Sequence, residues 1–419
     1  MSLPAESEKA PPYRILYASL LIVGMGNSML QPLLPPLARE IDLPDASLGW
    51  IFSLSALFWT FMSPIWGRRS DRVGRRPVIA MGMAAYAVSM GAFAVVVILG
   101  LVDWLPGALV FFGLMLSRAI FGAVGSAASP AAQAYVADRS PPSERTERIA
   151  ALTAAFALGA TLGPAICALL AGRFGLVTPI ALIAVAAAAM AVLIRRNLPE
   201  PTLPDPTAER VGFRESWMLA ADPRLAPFLI FGFGLSIVAG TMQQTYTLYL
   251  MDRLGVRGEA AAEQAAAGFM VGALALLTTQ MVVLPRLKLK SSGYMALGAL
   301  IVCAGILVQM QAASLGALVV AQFLQGMGFG LTRPGFAGGA SMAVTPQEQG
   351  AAAGLVVAVN GAGFIFSPIT GGVAYQFLHP LAPLALAFAI LTAMAIFSWR
   401  SRRLRNVEAA LAPPTIEPS

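Results

Sequence analysis

The chain has 419 residues, of which 57% are hydrophobic and 12% are charged, and its formal net charge is +7. A soluble domain carries about 25% charged residues, so this composition excludes a soluble globular protein. The apolar residues form runs of about 20, the length of a helix that crosses the hydrocarbon core of a bilayer. These runs lack the alternating pattern of membrane β-strands. We therefore expect an all-α integral membrane protein that is surrounded by a lipid bilayer.

Twelve such runs follow one another along the chain, and each predicts a transmembrane helix. In the first half they cover residues 15–37, 48–66, 77–99, 107–136, 149–170 and 177–194. In the second half they cover residues 225–251, 265–284, 294–311, 315–340, 349–377 and 381–399. The predicted domains are a leader (1–14), a six-helix bundle (15–194), a proline-rich linker (195–224), a second six-helix bundle (225–399) and a basic tail (400–419).

The two predicted bundles carry an internal repeat. At a constant offset of 204 residues, Gly122, Pro130, Pro142, Glu144, Gly159 and Pro164 match Gly326, Pro334, Pro346, Glu348, Gly363 and Pro368. Repeats of this kind in membrane proteins generate two pseudo-symmetric halves.

The basic residues indicate topology rather than a nucleic-acid surface. If the N-terminus is in the cytoplasm, only Arg39, Arg173, Arg253 and Arg257 fall in outer loops, whereas the inner loops and the termini hold most of the other Lys and Arg residues. This asymmetry is the positive-inside pattern of a multi-pass membrane protein. We expect a bacterial-type inner membrane, both termini in the cytoplasm and no nucleic-acid partner.

The predicted loop between the second and third helices contains a dense charged motif. Its sequence is Gly-x-x-x-Asp-Arg-x-Gly-Arg-Arg, and its defined positions are Gly67, Asp71, Arg72, Gly74, Arg75 and Arg76. Glycines permit a tight turn, and a carboxylate beside several guanidinium groups forms an ion pair that can open. The motif resembles the signature loop of the major facilitator superfamily at every position.

This resemblance implies the major facilitator fold, which has twelve transmembrane helices in two pseudo-symmetric six-helix bundles. It also implies that Asp71 faces the start of the eleventh helix. Thr345, Pro346 and Glu348 predict a capping box at that start.

The fourth helix carries Arg118 within its span and Asp138 at its cytoplasmic end. An arginine near the bilayer centre costs about 2.5–3.5 kcal/mol, so Arg118 is expected to face protein or a wet cavity. This helix resembles its counterpart in the drug:proton antiporter branch of the family. The resemblance implies that Arg118 takes part in transport and that Asp138 pairs with an arginine of the signature motif. The alternative for Arg118 is a structural tie to helix carbonyls and glutamines.

Two helices carry a small-residue motif followed by proline. It consists of Gly159, Gly163 and Pro164 in the fifth helix, and of Gly363 and Pro368 in the eleventh. Small residues let helices approach closely, and proline introduces a kink about which two halves could pivot. The sequence does not decide between a hinge and simple close packing.

The family fold implies that helices 1, 4, 7 and 10 surround a central pathway. The candidate cavity residues on and beside these helices are Asn27, Gln31, Arg118, Gln243, Gln244, Tyr246, Gln280, Gln322, Gln325, Arg333 and Asn360. Each glutamine has an alternative role as an interhelical tie, and Arg333 could instead extend to the cytoplasmic interface. The predicted spans contain two arginines and no acidic residue, which favours anionic, zwitterionic or neutral amphiphilic cargo.

The expected function is secondary transport that exports small amphiphilic molecules by alternating access. We expect proton antiport, with Asp71, Asp138 and Asp103 as candidate proton carriers, no other cofactor, no metal and a monomeric protein. The alternatives are an importer, a lipid or organic-anion transporter of the same fold, and a transporter-like receptor. An enzyme is not expected, because the sequence has neither a Gly-x-Ser-x-Gly elbow nor a His-Glu-x-x-His motif.

Overall fold

The computed structural model describes residues 13–141, 144–200, 219–345, 348–401 and 404, and this part of the chain is mainly helical without β-strands. Twelve helices are long and apolar enough to span a membrane, as predicted. They are α1 (Tyr13–Glu40), α2 (Asp45–Val73), α3 (Arg75–Leu101), α4 (Gly107–Asp138), α5 (Arg145–Phe174), α6 (Thr178–Asn197), α7 (Ala226–Leu254), α8 (Gly258–Val283), α9 (Ser291–Gln311), α10 (Leu315–Met342), α11 (Gln349–Pro368, continued through Ile369–Val373 and Ala374–Phe377) and α12 (Ala382–Arg400).

The segments around the helices are only partly described. Residues 1–12, most of the predicted linker (201–218) and most of the predicted tail (405–419) lie outside the described ranges. The leader, the linker and the tail therefore remain predictions.

The charged signature motif was predicted as a loop, and this prediction is wrong for most of its length. α2 continues to Val73 and α3 begins at Arg75, so only Gly74 interrupts the helices, with a φ of 106°. A helix of 29 residues is about 43 Å long, which exceeds the hydrocarbon core of about 30 Å. The end of α2 therefore projects beyond the core, where arginine, a good helix former, can continue the helix.

Other helices also extend past their predicted ends, and these extensions carry acidic residues. The predicted spans contain none, but the described helices include Glu40, Asp71, Asp138, Asp252 and Glu259. Every acidic residue of a described helix lies within about two turns of a helix end. The central part of each described span thus contains no carboxylate.

Three helices depart from regular α-geometry. A 3₁₀ turn at Gly125–Ala127 interrupts α4, and α8 ends in a π-helical turn at Thr279–Val283. In α11 a second π-helical turn, Ile369–Val373, follows Pro368 directly. Pro164 lies within α5 without a change of helix type. The two prolines of the predicted hinge motif therefore have different local structures, and a hinge role remains a prediction.

The chain forms two compact units. Of the described residues, those within 1–43, 50–208 and 258–266 form the first unit, and those within 44–49, 209–257 and 267–419 form the second. Within the first unit, glycines bring α1 and α5 together: a Cβ atom on Gly159 would clash with the Leu21 carbonyl, and one on Gly163 would clash with Ser28. Within the second unit, a Cβ atom on Gly363 would clash with Ser236 of α7 in the same way.

A second repeat pair has matching contacts inside each unit. A Cβ atom on Gly122 of α4 would clash with the Ser55 carbonyl of α2, and one on Gly326 of α10 would clash with the Gly272 carbonyl of α8. Corresponding helices are therefore packed through corresponding glycines. These contacts support the duplication that the sequence predicts.

Candidate transport site

The candidate site of the first unit is centred on the side chain of Arg118. The residue lies on α4, and only 3% of it is exposed. Its Nη2 atom donates a hydrogen bond of 2.8 Å to Asn27 Oδ1 on α1. Its guanidinium carbon lies 4.7 Å from the ring centre of Phe121 and 5.8 Å from that of Phe52. One amide and two aromatic rings thus stabilise the cation, through a charge-assisted hydrogen bond and cation–π attraction.

Arg118 keeps unused hydrogen-bonding capacity. Its Nε and Nη1 atoms are buried and have no hydrogen-bond partner among the described residues. No described carboxylate forms an ion pair with it either. An unpaired buried charge is costly, so membrane proteins retain one chiefly where it serves a ligand or ion pathway. An anion that reaches this position would satisfy both donors.

Sequence reasoning missed the aromatic residues around this guanidinium. Besides Phe52 and Phe121, the group includes Tyr86 of α3, whose ring centre lies 4.8 Å from that of Phe121. The fully buried Tyr86 donates a hydrogen bond of 3.3 Å to the Val23 carbonyl. A tyrosine within the apolar third span was a signal that could have identified it. Gln31, another predicted cavity residue, is half-buried one turn beyond Asn27.

In the second unit the predicted cavity residues of α7 have different surroundings. Gln244 donates a hydrogen bond of 2.7 Å from Nε2 to Ser367 Oγ on α11. Its Oε1 atom is buried, and no described residue donates a hydrogen bond to it. Tyr246 is fully buried, its ring lies edge-on to Phe269 at 5.0 Å, and its hydroxyl has no partner among the described residues. Gln243 is half-buried. These neutral groups offer hydrogen bonds without charge.

On α10, Gln325 is an interhelical tie. It donates from Nε2 to Gln309 Oε1 of α9 at 2.7 Å, and both residues are buried. Gln322, which occupies the repeat position of Arg118, is 8% exposed. The alternative that the sequence left open for glutamines therefore applies to Gln325.

Three further predicted cavity residues lie on α8, α10 and α11. Gln280 is half-buried in the π-helical turn that ends α8. Arg333 is exposed, with its guanidinium carbon 5.8 Å from the ring centre of Phe329. Asn360 is exposed on α11, and its Oδ1 atom lies 3.0 Å from Ser236 Oγ.

Arg75 is the central residue of the charged signature motif, and 5% of it is exposed. Its Nε atom donates to Asp138 Oδ2 at 2.9 Å, and its Nη1 atom pairs with Asp71. The same Nη1 atom contacts Ser70 Oγ at 2.6 Å and the Gly67 carbonyl at 3.4 Å. The structure thus contains the expected pairing of Asp138 with a motif arginine. It joins the ends of α2 and α4 through one guanidinium group.

The other arginines of the motif lie nearer the surface. Arg72 is exposed, whereas Arg76 pairs with Glu200 at 3.5 Å. Glu200 also lies against Gly74, where an added Cβ atom would be 2.7 Å from Glu200 Oε1. Sequence reasoning missed Glu200 because it lies in the predicted linker, far along the chain from the motif.

The start of α11 has half of the predicted capping box. Glu348 Oε2 accepts hydrogen bonds of 2.9 Å from the backbone N–H and the hydroxyl of Thr345. The Thr345 hydroxyl does not cap the helix in return. Pro346 lies outside the described residues. Arg224 bridges Glu348 at 3.3 Å and Asp222 at 2.7 Å. The Thr345 backbone and hydroxyl, followed by Arg224, lower the pKa of Glu348. Hydrogen bonds from Arg224 lower the pKa of Asp222.

The described residues offer no group of three or more His, Cys, Asp or Glu that could hold a metal ion. Cys167 and Cys303 are buried and free. The described side chains around Arg118 offer a charge, a hydrogen-bonding amide and aromatic surface.

The sequence is similar to several bacterial proteins that are named for drug resistance. The chain is 24% identical over 387 residues to multidrug resistance protein 1 of Bacillus subtilis, and the match covers 90% of this chain and 94% of that protein. A shorter match to the class D tetracycline resistance protein of Salmonella ordonez is 37% identical over 150 residues, or 35% of this chain and 34% of that protein. The quinolone resistance protein NorA of Staphylococcus aureus is 28% identical over 152 residues, which is 36% of each chain.

Solved transporters share the fold. A bacterial homologue of the human lysosomal transporter Spinster matches with a TM-score of 0.71 and 16% identity, over 97% of this chain and 98% of that one. The human organic anion transporter MFSD10 (TETRAN) matches with a TM-score of 0.64 and 20% identity, over 93% of this chain and 100% of that one. The family model of the major facilitator superfamily matches residues 16–315, more than half of the chain. The chain therefore belongs to the major facilitator superfamily of membrane transporters.

Proposed function

We propose that this transporter exports small amphiphilic molecules, whether neutral, zwitterionic or anionic, in exchange for protons. Transport proceeds by alternating access between two six-helix bundles, and the proton is the coupling ion with no other cofactor. The protein acts as a monomer in a bacterial-type inner membrane, with both termini in the cytoplasm. The observation that carries the proposal is the buried guanidinium of Arg118, two of whose donor nitrogens have no partner among the described residues.

The relatives support the direction of transport. Three proteins with sequence similarity to this chain are named for resistance to multiple drugs, tetracycline and quinolones. Resistance by a membrane transporter requires movement of the drug out of the cell. We extend that direction to this chain as a proposal, since the full-length match has an identity of 24%.

Proton coupling requires a group that gains and loses a proton during the cycle. Asp71 and Asp138 share Arg75, so protonation of either carboxylate weakens an ion pair that joins two helix ends. Asp103, in the turn after α3, is the third candidate. We favour the Arg75 pair because its opening would connect proton uptake to a movement of α2 relative to α4.

Everted membrane vesicles test the proposal. When respiration acidifies the vesicle lumen, an exporter that exchanges cargo for protons accumulates cargo inside, and an uncoupler abolishes the accumulation. A panel of anionic, neutral and cationic amphiphiles of similar size would be measured against vesicles that lack the protein. We expect energised uptake of the anionic or neutral compounds. Uptake restricted to cations contradicts the proposed cargo, and uptake restricted to right-side-out vesicles would indicate an importer.

A further inference from the structure

We propose that Asn27 sets the charge selectivity of this transporter, because its neutral amide leaves the positive charge of Arg118 uncompensated. The preferred cargo would then carry an oxyanion, such as a carboxylate, sulfonate or phosphonate. This inference rests on the proposed export function, since it specifies the class of cargo for the same site.

The partner of the Arg118 guanidinium on α1 is a neutral amide. Asn27 Oδ1 accepts a hydrogen bond of 2.8 Å from Arg118 Nη2, the position in which a carboxylate would form an ion pair. Asparagine and aspartate have nearly the same shape, but only aspartate would cancel the charge. The amide thus fixes the orientation of the guanidinium group without neutralising it.

No other group near Arg118 supplies a negative charge in the described part of the chain. Tyr86 is the neighbouring titratable residue, and its hydroxyl is committed to the Val23 carbonyl. The middle of each described span contains no carboxylate. The residue at the matching repeat position of the second half, Gln322, is neutral as well. The positive charge is therefore available to a bound molecule.

The guanidinium of Arg118 has aromatic contacts, whereas two of its nitrogens make no hydrogen bond to a described residue. Phe121 and Phe52 already contact the guanidinium carbon, at 4.7 and 5.8 Å from their ring centres. In contrast, the buried Nε and Nη1 atoms have no hydrogen-bond partner in the ranges that the structure describes. Arg118 can thus offer N–H donors to a molecule, and charge-assisted hydrogen bonds are strongest to the oxygens of an anion. An oxyanion satisfies both the free donors and the uncompensated charge.

The test compares three probes with one aromatic body that bears a sulfonate, a neutral amide or a trimethylammonium group. Uptake by the purified full-length protein in proteoliposomes would be measured for the wild type, Asn27→Asp and Asn197→Asp. Asn197 is the exposed last residue of α6, so its variant adds the same charge away from Arg118. We expect Asn27→Asp to reduce sulfonate uptake at least tenfold while neutral uptake persists. Asn197→Asp should match the wild type.

Each outcome is decisive. If the wild type transports the sulfonate and Asn27→Asp transports it equally well, the inference on Asn27 is overturned although the export proposal stands. If the wild type transports only the trimethylammonium probe, the proposed cargo class itself fails. Should Asn27→Asp not yield folded protein, Arg118→Gln tests the charge that Asn27 is proposed to leave uncompensated. Loss of the preference for sulfonate over amide supports selection by this charge, and an unchanged preference overturns the inference.

Discussion

At the scale of a single residue, we expect Arg118 to contribute to transport and not to the stability of the fold. A buried arginine costs about 2.5–3.5 kcal/mol in a membrane, and the one described hydrogen bond to Asn27 offsets only part of this cost. We therefore expect Arg118→Ala to insert with an unchanged or higher apparent Tm. Loss of charge-assisted hydrogen bonds to cargo, about 1.5–3 kcal/mol, should reduce transport by roughly 10- to 100-fold. Paired measurements of thermal stability and uptake check this. Undiminished transport would remove Arg118 from the mechanism.

In contrast to Arg118, Arg75 should contribute to the stability of the folded protein. Arg75→Ala leaves Asp71 and Asp138 without the guanidinium that joins them. Removal of one partner from a buried ion pair costs about 3–5 kcal/mol, and the lower end applies because the Asp138 side chain is 31% exposed. We expect a clear fall in apparent Tm, with partial recovery in Arg75→Lys. An Arg75→Ala protein as stable as the wild type would show that this ion pair contributes little.

The sequence identified the charged residues of the site better than their partners. Arg118 and Asp138 were predicted because charges are rare in apolar helices and their positions fit a family motif. Asn27 was predicted as a cavity residue, but its bond to Arg118 joins positions 91 residues apart, and no local pattern encodes such a contact. Tyr86 and Phe121 were missed because aromatic residues are common in membrane helices.

At the scale of the element, the packing of α1 on α5 depends on glycine. A Cβ atom on Gly159 would meet the backbone of Leu21, which cannot move aside as a flexible side chain can. Overpacking of this kind costs typically 1–3 kcal/mol, so Gly159→Ala should lower the apparent Tm. Gly338→Ala is the matched control, because an added Cβ atom there has no neighbour within 4 Å. The control should be neutral or slightly stabilising, by up to about 1 kcal/mol of helix propensity. Equal effects of both variants would refute close packing at Gly159.

Acid should weaken the stabilisation that Glu348 provides at the start of α11. The pKa of Glu348 in the folded protein is below its usual value of about 4.3, so the folded state favours the charged form. Stability from this group is fully present above pH 4.3 and is lost as the pH falls through the lowered pKa. Between pH 5 and pH 3 the apparent Tm of Glu348→Gln should therefore fall less steeply than that of the wild type. Identical pH profiles would contradict the role of Glu348.

Helix number was predictable from composition, whereas helix ends were not. A span of about 20 apolar residues is fixed by the thickness of the bilayer, so all twelve spans were found. Beyond the core, hydropathy carries no information about where a helix stops. The signature motif accordingly reads as a loop in the sequence although α2 continues through Asp71 to Val73.

At the scale of the whole molecule, the repeat in the sequence corresponds to a repeat in the helix packing. Gly122 and Gly326 pack α4 on α2 and α10 on α8, and Gly159 and Gly363 pack α5 on α1 and α11 on α7. The buried positive charge is not duplicated, because the repeat position of Arg118 in the second half is the neutral Gln322. The fold is thus built from two similar halves, and the charge that we assign to cargo recognition belongs to the first.

The exchange of an anionic cargo for protons is the claim on which the functional account rests. Proteoliposomes loaded with a pH-sensitive dye test it directly when a membrane-impermeant aromatic sulfonate is added outside. A sulfonate carries no titratable proton at neutral pH, so any change in lumenal pH reports protons moved by the protein. We expect the lumen to become more alkaline with the wild type, as cargo enters and protons leave, and to stay constant with Arg118→Ala. A lumen that acidifies, or that keeps its pH while the sulfonate enters, would contradict proton antiport.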